Sequence, residues 1–204
     1  MSPSASSPGL ADPTLLDPFT RKPESSSSGT AHPGQELLQV VIETPRGSRN
    51  KYSFDPDERV FRLKAALPAG MVFPYDFGFI PRSIGGDGDP LDILVLMEEP
   101  AFPGCVLLVR LLGVMEAEQV EHADTDHPET QRNDRLIGVA ETAQIYANFD
   151  QIDAIPVQMR TEIEQFFSNY HQLQGKRSRT LAWSDTPAAR DLISEALLRY
   201  KNKP

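Results

Sequence analysis

Short apolar runs broken by turn residues occupy the first two thirds of this chain and restrict the folds open to it. Six runs of strand-type composition lie at residues 37–44, 51–54, 60–63, 93–97, 106–115 and 136–140. Gly, Pro, Asp and Asn are frequent between these runs, where they favour turns over helix. Such a series of short strands predicts a small closed barrel or a sandwich of β-sheets.

The last quarter of the chain has helical periodicity instead. Pro156 stands where a first helical position is expected, and Gly175 is a plausible stop. Between them, apolar side chains recur at helical spacing, at Ile163, Phe166, Phe167, Tyr170 and Leu173. A second helix is predicted over about residues 186–201. We therefore expect an α+β chain, mainly β, that ends in two helices.

The N-terminal 35 residues have a different composition from the rest. They are rich in Ser, Pro, Gly and Ala and include four consecutive serines at 25–28. Because so little apolar surface cannot offset the entropy of ordering the chain, we predict a flexible tail over 1–35 and one folded domain over 36–204. Leu15, Leu16 and Phe19 form a small apolar cluster that could dock onto the body or onto a neighbouring subunit.

Charge and cysteine content exclude several classes of protein. The formal net charge is −9, which argues against nucleic-acid binding because that needs a basic surface. Cys105 is the only cysteine, so an intrachain disulfide is impossible and a reducing compartment is expected. No apolar run reaches the roughly 18 residues of a membrane span, and the start does not resemble a secretory signal. We therefore expect a cytoplasmic protein that does not bind membranes.

An acidic loop is the strongest functional signal. Residues 85–92 read GGDGDPLD and place Asp87, Asp89 and Asp92 within six positions. Divalent cations such as Mg²⁺ prefer carboxylate oxygens together with waters and substrate phosphates. The apolar run that follows would anchor the loop to a rigid strand. Taken alone, the same composition is also typical of an ordinary Asp/Gly turn.

Further segments accompany the acidic loop in a specific order. They are 41–45 (VIETP), 50–52 (NKY), 71–81 (MVFPYDFGFIP), 102–104 (FPG), 110–114 (RLLGV), 133–139 (NDRLIGV) and 166–170 (FFSNY). Together they resemble the soluble inorganic pyrophosphatases of the single-domain, Mg²⁺-dependent family, over about residues 37–202. The resemblance implies a small, OB-like five-stranded β-barrel flanked by two C-terminal helices, and an enzyme that typically forms homo-oligomers.

The resemblance assigns the acids to a metal site position by position. Asp87 and Asp92 match metal-ligand aspartates, and Glu43 matches a further acid near the metals. Asp89 matches the carboxylate that accepts the proton of the attacking water. We therefore expect bound Mg²⁺, with Mn²⁺ or another divalent cation as the alternative.

The resemblance also assigns groups that hold the phosphates. Lys51 matches a phosphate-contacting lysine, Tyr170 matches a tyrosine whose hydroxyl binds phosphate, and Arg135 stands at a lysine position. Lys64 falls near the family's phosphate-binding arginine if one residue is inserted after it, with Arg62 as a competitor. An exposed surface position for Lys51 and a packing role for Tyr170 remain as alternatives.

Several positions depart from the family pattern. Ser53 replaces an acid, Phe73 and Phe77 replace aromatic hydroxyls, and His171 replaces a lysine. These rings can wall a site but phenylalanine cannot donate a hydrogen bond. The departures indicate a divergent branch of the family.

The ligands of a second metal also differ. In strict register Gln119 and Asn133 stand at the two aspartate positions, and the neighbouring acids Glu118 and Asp134 are the candidate replacements. Adjacent strand residues point to opposite faces, so Asp134 would need a bulge to turn inward. An altered metal number or an altered substrate follows from this pattern.

The leading function is Mg²⁺-dependent hydrolysis of inorganic pyrophosphate to two orthophosphates. Two alternatives stay open at the level of the sequence. One is a hydrolase of another small phosphoanhydride, and the other is a noncatalytic homologue that binds phosphate or a partner.

Overall fold

A five-stranded barrel lies at the centre of the structure. The computed structural model describes residues 12–21, 36–121 and 129–203. Its strands are β1 (Phe19–Arg21), β2 (Glu36–Thr44), β3 (Asn50–Asp55), β4 (Val60–Ala66), β5 (Asp76–Phe79), β6 (Asp92–Leu96), β7 (Val106–Glu121), β8 (Glu129–Arg132), β9 (Arg135–Ala140) and β10 (Arg177–Ser184). Its helices are α1 (Val157–Gln172) and α2 (Thr186–Lys201).

The barrel closes because β2 pairs on both sides. The order β2-β5-β6-β9-β7 is completed by a β2–β7 pairing, which forms a ring. The β6–β9 pairing is parallel and the other four are antiparallel. Closure removes unpaired edges from these five strands. The predicted five-stranded barrel with two C-terminal helices is confirmed.

Further strands lie outside this ring. The hairpin β3–β4 forms a separate two-stranded sheet, β1 pairs with β2, and both β10 and β8 pair with the C-terminal part of β7. The apolar face of α1 packs into the barrel core through Ile163, Phe166 and Phe167. The helix α2 begins where the Asp185 carboxylate accepts a hydrogen bond from the Ala188 N–H at 3.2 Å.

Close strand contact explains one glycine of the FPYDFGFIP segment. A Cβ atom at Gly78 would lie 2.1 Å from the Val41 carbonyl oxygen of the neighbouring strand. Only glycine allows β2 and β5 to approach this closely. The two aromatic neighbours Phe77 and Phe79 are buried on either side of it.

Short hydrogen bonds fix the acidic loop between β5 and β6. The Ser83 hydroxyl donates to the Ile80 carbonyl at 2.6 Å and accepts from the Leu91 N–H at 2.9 Å. Within the loop, the Gly85 N–H donates to the Asp89 carbonyl at 2.6 Å. The base of the loop is therefore tied across its own ends, and both ends continue into barrel strands.

Part of the predicted tail belongs to the folded sheet. Residues 19–21 pair with β2, and residues 13–15 form a turn of 3₁₀ helix whose Thr14 carbonyl accepts from the Arg82 N–H at 3.0 Å. The Arg82 guanidinium also donates to the Leu15 carbonyl at 2.9 Å. Residues 1–11 and 22–35, the rest of the predicted tail, lie outside the described residues. Across the described ranges, no helix is long and apolar enough to cross a membrane.

Removal of one side chain tests whether the N-terminal segment stabilises the fold. Phe19 is partly buried against the barrel core, so we expect Phe19→Ala to lower the free energy of unfolding by about 1–2 kcal/mol, less than the roughly 3–5 kcal/mol of a fully buried phenylalanine. Leu15→Ala is the matched control, because Leu15 is 52% exposed and should cost under about 0.5 kcal/mol. Urea unfolding of the full chain measures both, and equal effects would contradict this role of Phe19.

Candidate active site

One large cavity of about 690 Å³ collects most of the residues selected from the sequence. It lies where the barrel end, the β3–β4 hairpin and the C-terminal half of α1 meet. Four acids line it, Glu43, Asp87, Asp89 and Asp92. Four basic side chains line it as well, Lys51, Lys64, Arg135 and Lys176. The cavity therefore combines groups suited to cations with groups suited to anions.

The acidic loop places three carboxylates at one side of this cavity. Asp89 is exposed, and the Asp87 carboxylate accepts a hydrogen bond from its N–H at 3.2 Å. Asp92 opens β6. Burial raises the pKa of Asp92 to about 7, although Arg135 and Lys51 oppose this shift. Burial likewise raises the pKa of Asp87, and these carboxylates therefore lie in surroundings that lack enough positive charge.

Parallel strand pairing brings a cation beside Asp92. In the β6–β9 register Asp92 lies opposite Arg135, and the Arg135 Nε and Asp92 Oδ2 atoms are 4.0 Å apart. The Arg135 side chain is only 3% exposed and stacks over the Phe167 ring at 3.9 Å. It also donates to the Asn133 carbonyl at 2.9 Å. A rigid guanidinium is thus fixed at the cavity floor.

His171 also contacts the Arg135 guanidinium. Its Nε2 lies 3.3 Å from an Arg135 terminal nitrogen, and the ring is buried. Burial, together with the neighbouring Arg135 charge, lowers the pKa of His171 to about 3. A neutral imidazole that accepts from Arg135 carries its proton on Nδ1, which has no hydrogen-bond partner in the described part of the chain. The sequence marked His171 only as a departure and did not predict this contact.

Lys51 is not a free surface lysine. Its ammonium hydrogen-bonds to the Tyr170 hydroxyl and lies 5.3 Å from the Tyr170 ring centroid. Burial alone would lower the pKa of Lys51, but Tyr170 and Asp92 outweigh it and raise the pKa overall. Glu43 lies nearby, accepts from the Phe54 N–H at 2.7 Å, and has its pKa raised by burial. These three side chains therefore share the cavity with the acidic loop.

The wall formed by β7, β8 and β9 presents amides to the cavity. Gln119 and Asn133 both line it, and the Asn133 Nδ2 atom donates to the Gln119 Oε1 atom at 2.8 Å. The two acids proposed from the sequence are placed elsewhere. Glu118 pairs with Arg179 at 2.8 Å and does not line the cavity.

Asp134 lies behind the acidic loop instead. It lines a crevice of about 10 Å³ with Asp87 and Asp92, but Arg132 contacts both of its carboxylate oxygens, at 2.8 and 3.2 Å. The Ala117 N–H donates to it as well, at 2.9 Å. Strand alternation accounts for the placement of Glu118, since its neighbour Gln119 in β7 faces the cavity, whereas Asp134 lies in the connection between β8 and β9 and is placed by its contacts with Arg132 and Ala117.

The remaining walls are aromatic or were not selected from the sequence. Phe73 and Phe77 are buried and line the cavity beside α1. Lys64 lines the opposite rim from β4 and is exposed, whereas Arg62 pairs with Asp55 on the hairpin surface. Thr14 and Lys176 also line the cavity, and no sequence pattern had pointed to either of them.

Comparison with known proteins identifies the family. A family model described as inorganic pyrophosphatase matches residues 40–201. The chain belongs to the inorganic pyrophosphatase family. An inorganic pyrophosphatase of Synechocystis is 36% identical over 84% of this chain and 96% of its own length. The crystal structure of the inorganic pyrophosphatase of Thermus thermophilus matches with a TM-score of 0.78 and 33% identity, covering 94% of this chain and all of that one.

The side chains that line the cavity fit one divalent cation better than two. Asp87 and Asp92 supply the two carboxylates that Mg²⁺ commonly takes, and burial without sufficient counter-charge makes a cation favourable beside them. On the amide wall, the neutral oxygens of Gln119 and Asn133 are poor ligands by comparison. Within the described ranges, no three His, Cys, Asp or Glu side chains converge closely enough to form a complete metal site.

Asp92→Asn tests the acidic loop while preserving its shape. We expect phosphate release to fall by at least about tenfold, because a metal ligand or catalytic group contributes on the order of 10²–10⁴ in rate. Near-native turnover of the folded variant at saturating Mg²⁺ would exclude this role for Asp92.

The same variant changes the pH dependence of stability. The pKa of Asp92 is about 7 in the folded chain and 3.8 ordinarily, so the metal-free native protein loses stability as the pH rises from about 4 to about 7. Asp92→Asn should lack this component. Melting temperatures of both metal-free proteins across that pH range measure the difference, and parallel curves would contradict it.

Proposed function

We propose that this chain hydrolyses inorganic pyrophosphate to two orthophosphates with the help of Mg²⁺. The observation that carries the proposal is a single cavity shared by the acidic loop, Lys51, Arg135 and Tyr170, in a chain of the inorganic pyrophosphatase family. Hydrolysis of a phosphoanhydride depends mainly on positioning and charge neutralisation, and this set of residues supplies both.

Each residue has a distinct task in this proposal. Asp87 and Asp92, with Glu43 nearby, would hold the cation, which when bound neutralises phosphate charge and acidifies a water molecule. Asp89 is exposed at the tip of the loop and accepts the proton of the attacking water. Its carboxylate is attached to a loop whose base is fixed by Ser83, so the acceptor is held near one position.

The phosphates are held by the cationic side of the cavity. Arg135 is fixed by Asp92, by His171 and by the Phe167 ring, so its donors are oriented before substrate binds. Lys51 lies beside the Tyr170 hydroxyl, and the pair offers a charge and a neutral donor to phosphate oxygens. Lys64 on the exposed rim adds a mobile positive charge where substrate enters.

Assembly and location are part of the proposal. The family resemblance supports a homo-oligomer that works in the cytoplasm, and the net charge of −9 is unfavourable for nucleic acid. Size-exclusion chromatography with light scattering measures the number of subunits.

A second candidate function follows from the size of the cavity. Its volume of about 690 Å³ falls in the range of roughly 300–1,000 Å³ typical of pockets for drug-sized ligands. A larger phosphoanhydride would therefore fit. Phosphate release from pyrophosphate, tripolyphosphate and nucleoside triphosphates, with Mg²⁺, Mn²⁺ or EDTA, separates the two functions. No release from any of them would favour a noncatalytic, phosphate-binding role.

Asp89→Asn tests the proposed proton acceptor. We expect pyrophosphate hydrolysis to fall by about 10²–10⁴ with little change in Mg²⁺ affinity, because an amide cannot take the proton. Asp57→Asn is the matched control, since Asp57 is exposed on the β3–β4 turn outside the cavity and should leave turnover unchanged. Equal activity of the Asp89 and Asp57 variants would remove Asp89 from the mechanism.

A further inference from the structure

The amide wall of the cavity differs in charge from the acidic loop that shares the cavity. Gln119 is 5% exposed, and its Oε1 atom already accepts a hydrogen bond from the Asn133 amide. A cation placed between the two side chains would have to break this bond. It would then meet neutral oxygens and the positive edge of an NH₂ group.

The acids nearest to this wall cannot replace the amides by changing rotamer. Glu118 precedes the cavity-facing Gln119 in β7, so its side chain leaves from the opposite face. Asp134 lies in the two-residue connection between β8 and β9, and its carboxylate is held away from the main cavity by its own contacts. Their charges are also neutralised where they are. Arg179 pairs with Glu118, and Arg132 together with the Ala117 N–H holds Asp134.

The acidic loop has the opposite character. Asp87 and Asp92 lie in the same cavity with partial compensation from Arg135, whose closest approach to Asp92 is 4.0 Å, and from Lys51, which lines the same cavity. Mg²⁺ is usually bound in proteins by one or two carboxylates with waters and substrate completing its shell. This side of the cavity therefore meets the requirement for one cation, and the amide wall does not meet it for another.

We propose that the Gln119–Asn133 pair is a neutral wall that does not fit a second divalent cation, so that the substrate-free protein binds one such cation tightly and not two. The inference rests on the proposed function, because that function is what calls for a cation in the cavity. It specifies the metal content of the substrate-free protein.

Counting bound Mn²⁺ in the absence of substrate tests this proposal. The full chain is stripped with EDTA, dialysed and titrated with Mn²⁺, while electron paramagnetic resonance reports the free ion. We expect one tight site per chain, and its loss in Asp92→Asn. Two tight sites in the native chain, or none, would overturn the proposal.

Restoring charge to the amide wall is the complementary test. Asn133→Asp, or Gln119→Glu as an independent variant, should add a second Mn²⁺ site and lower the Mg²⁺ concentration for half-maximal phosphate release. The control Glu118→Gln should leave the Mn²⁺ count unchanged, because Glu118 pairs with Arg179 and does not line the cavity. A second site absent from both folded amide-wall variants, or a tight site lost in the Glu118→Gln control, would overturn the proposal.

The metal count and the activity are independent measurements. One tight Mn²⁺ without any hydrolysis of pyrophosphate would refute the proposed function and leave this inference standing. Hydrolysis by a native chain that binds two Mn²⁺ would do the reverse.

Discussion

The parallel pairing of β6 with β9 is the constraint on which the site depends. It sets Asp92 opposite Arg135 at the start of both strands, so a half-buried carboxylate lies beside a buried guanidinium. The barrel therefore fixes the acidic and the basic sides of the cavity relative to each other through a single register.

Aromatic side chains pack beside the Asp92–Arg135 pair. The Phe73 ring centroid lies 5.0 Å from that of Phe166 and 6.1 Å from that of Tyr170, and the Phe77 centroid lies 5.7 Å from that of Phe73. Phe167 covers the Arg135 guanidinium. These apolar rings lower the local polarity on the α1 side of the cavity, so the attraction between Asp92 and Arg135 is stronger there than it would be in water. Phe73 and Phe77 shape this wall and cannot donate hydrogen bonds.

Strand-type runs predicted a closed barrel or a sandwich, the family resemblance selected the five-stranded barrel, and helical periodicity predicted both helices. These patterns missed β10, whose RSRTLAWS pattern is largely exposed, and the four-residue β5, and composition assigned residues 12–21 to a tail. Within the site, the sequence suggested Glu118 and Asp134 as metal ligands but could not show whether their side chains face the cavity. This orientation depends on the register among β7, β8 and β9, which places Gln119 and Asn133 in the cavity instead.

The segment from Ile80 to Leu91 both contacts the N-terminal turn and contains the acidic loop. Arg82 donates hydrogen bonds to the backbone of the N-terminal turn, and a few residues later the same segment presents the carboxylates of the acidic loop. The last helix holds this segment as well, because the Ile84 N–H donates to the Ala196 carbonyl at 3.1 Å and the Arg199 guanidinium donates to the Ile84 carbonyl at 3.2 Å. Elements from the two ends of the described chain therefore meet at the loop, so a change at either end has a direct hydrogen-bonded route to its carboxylates.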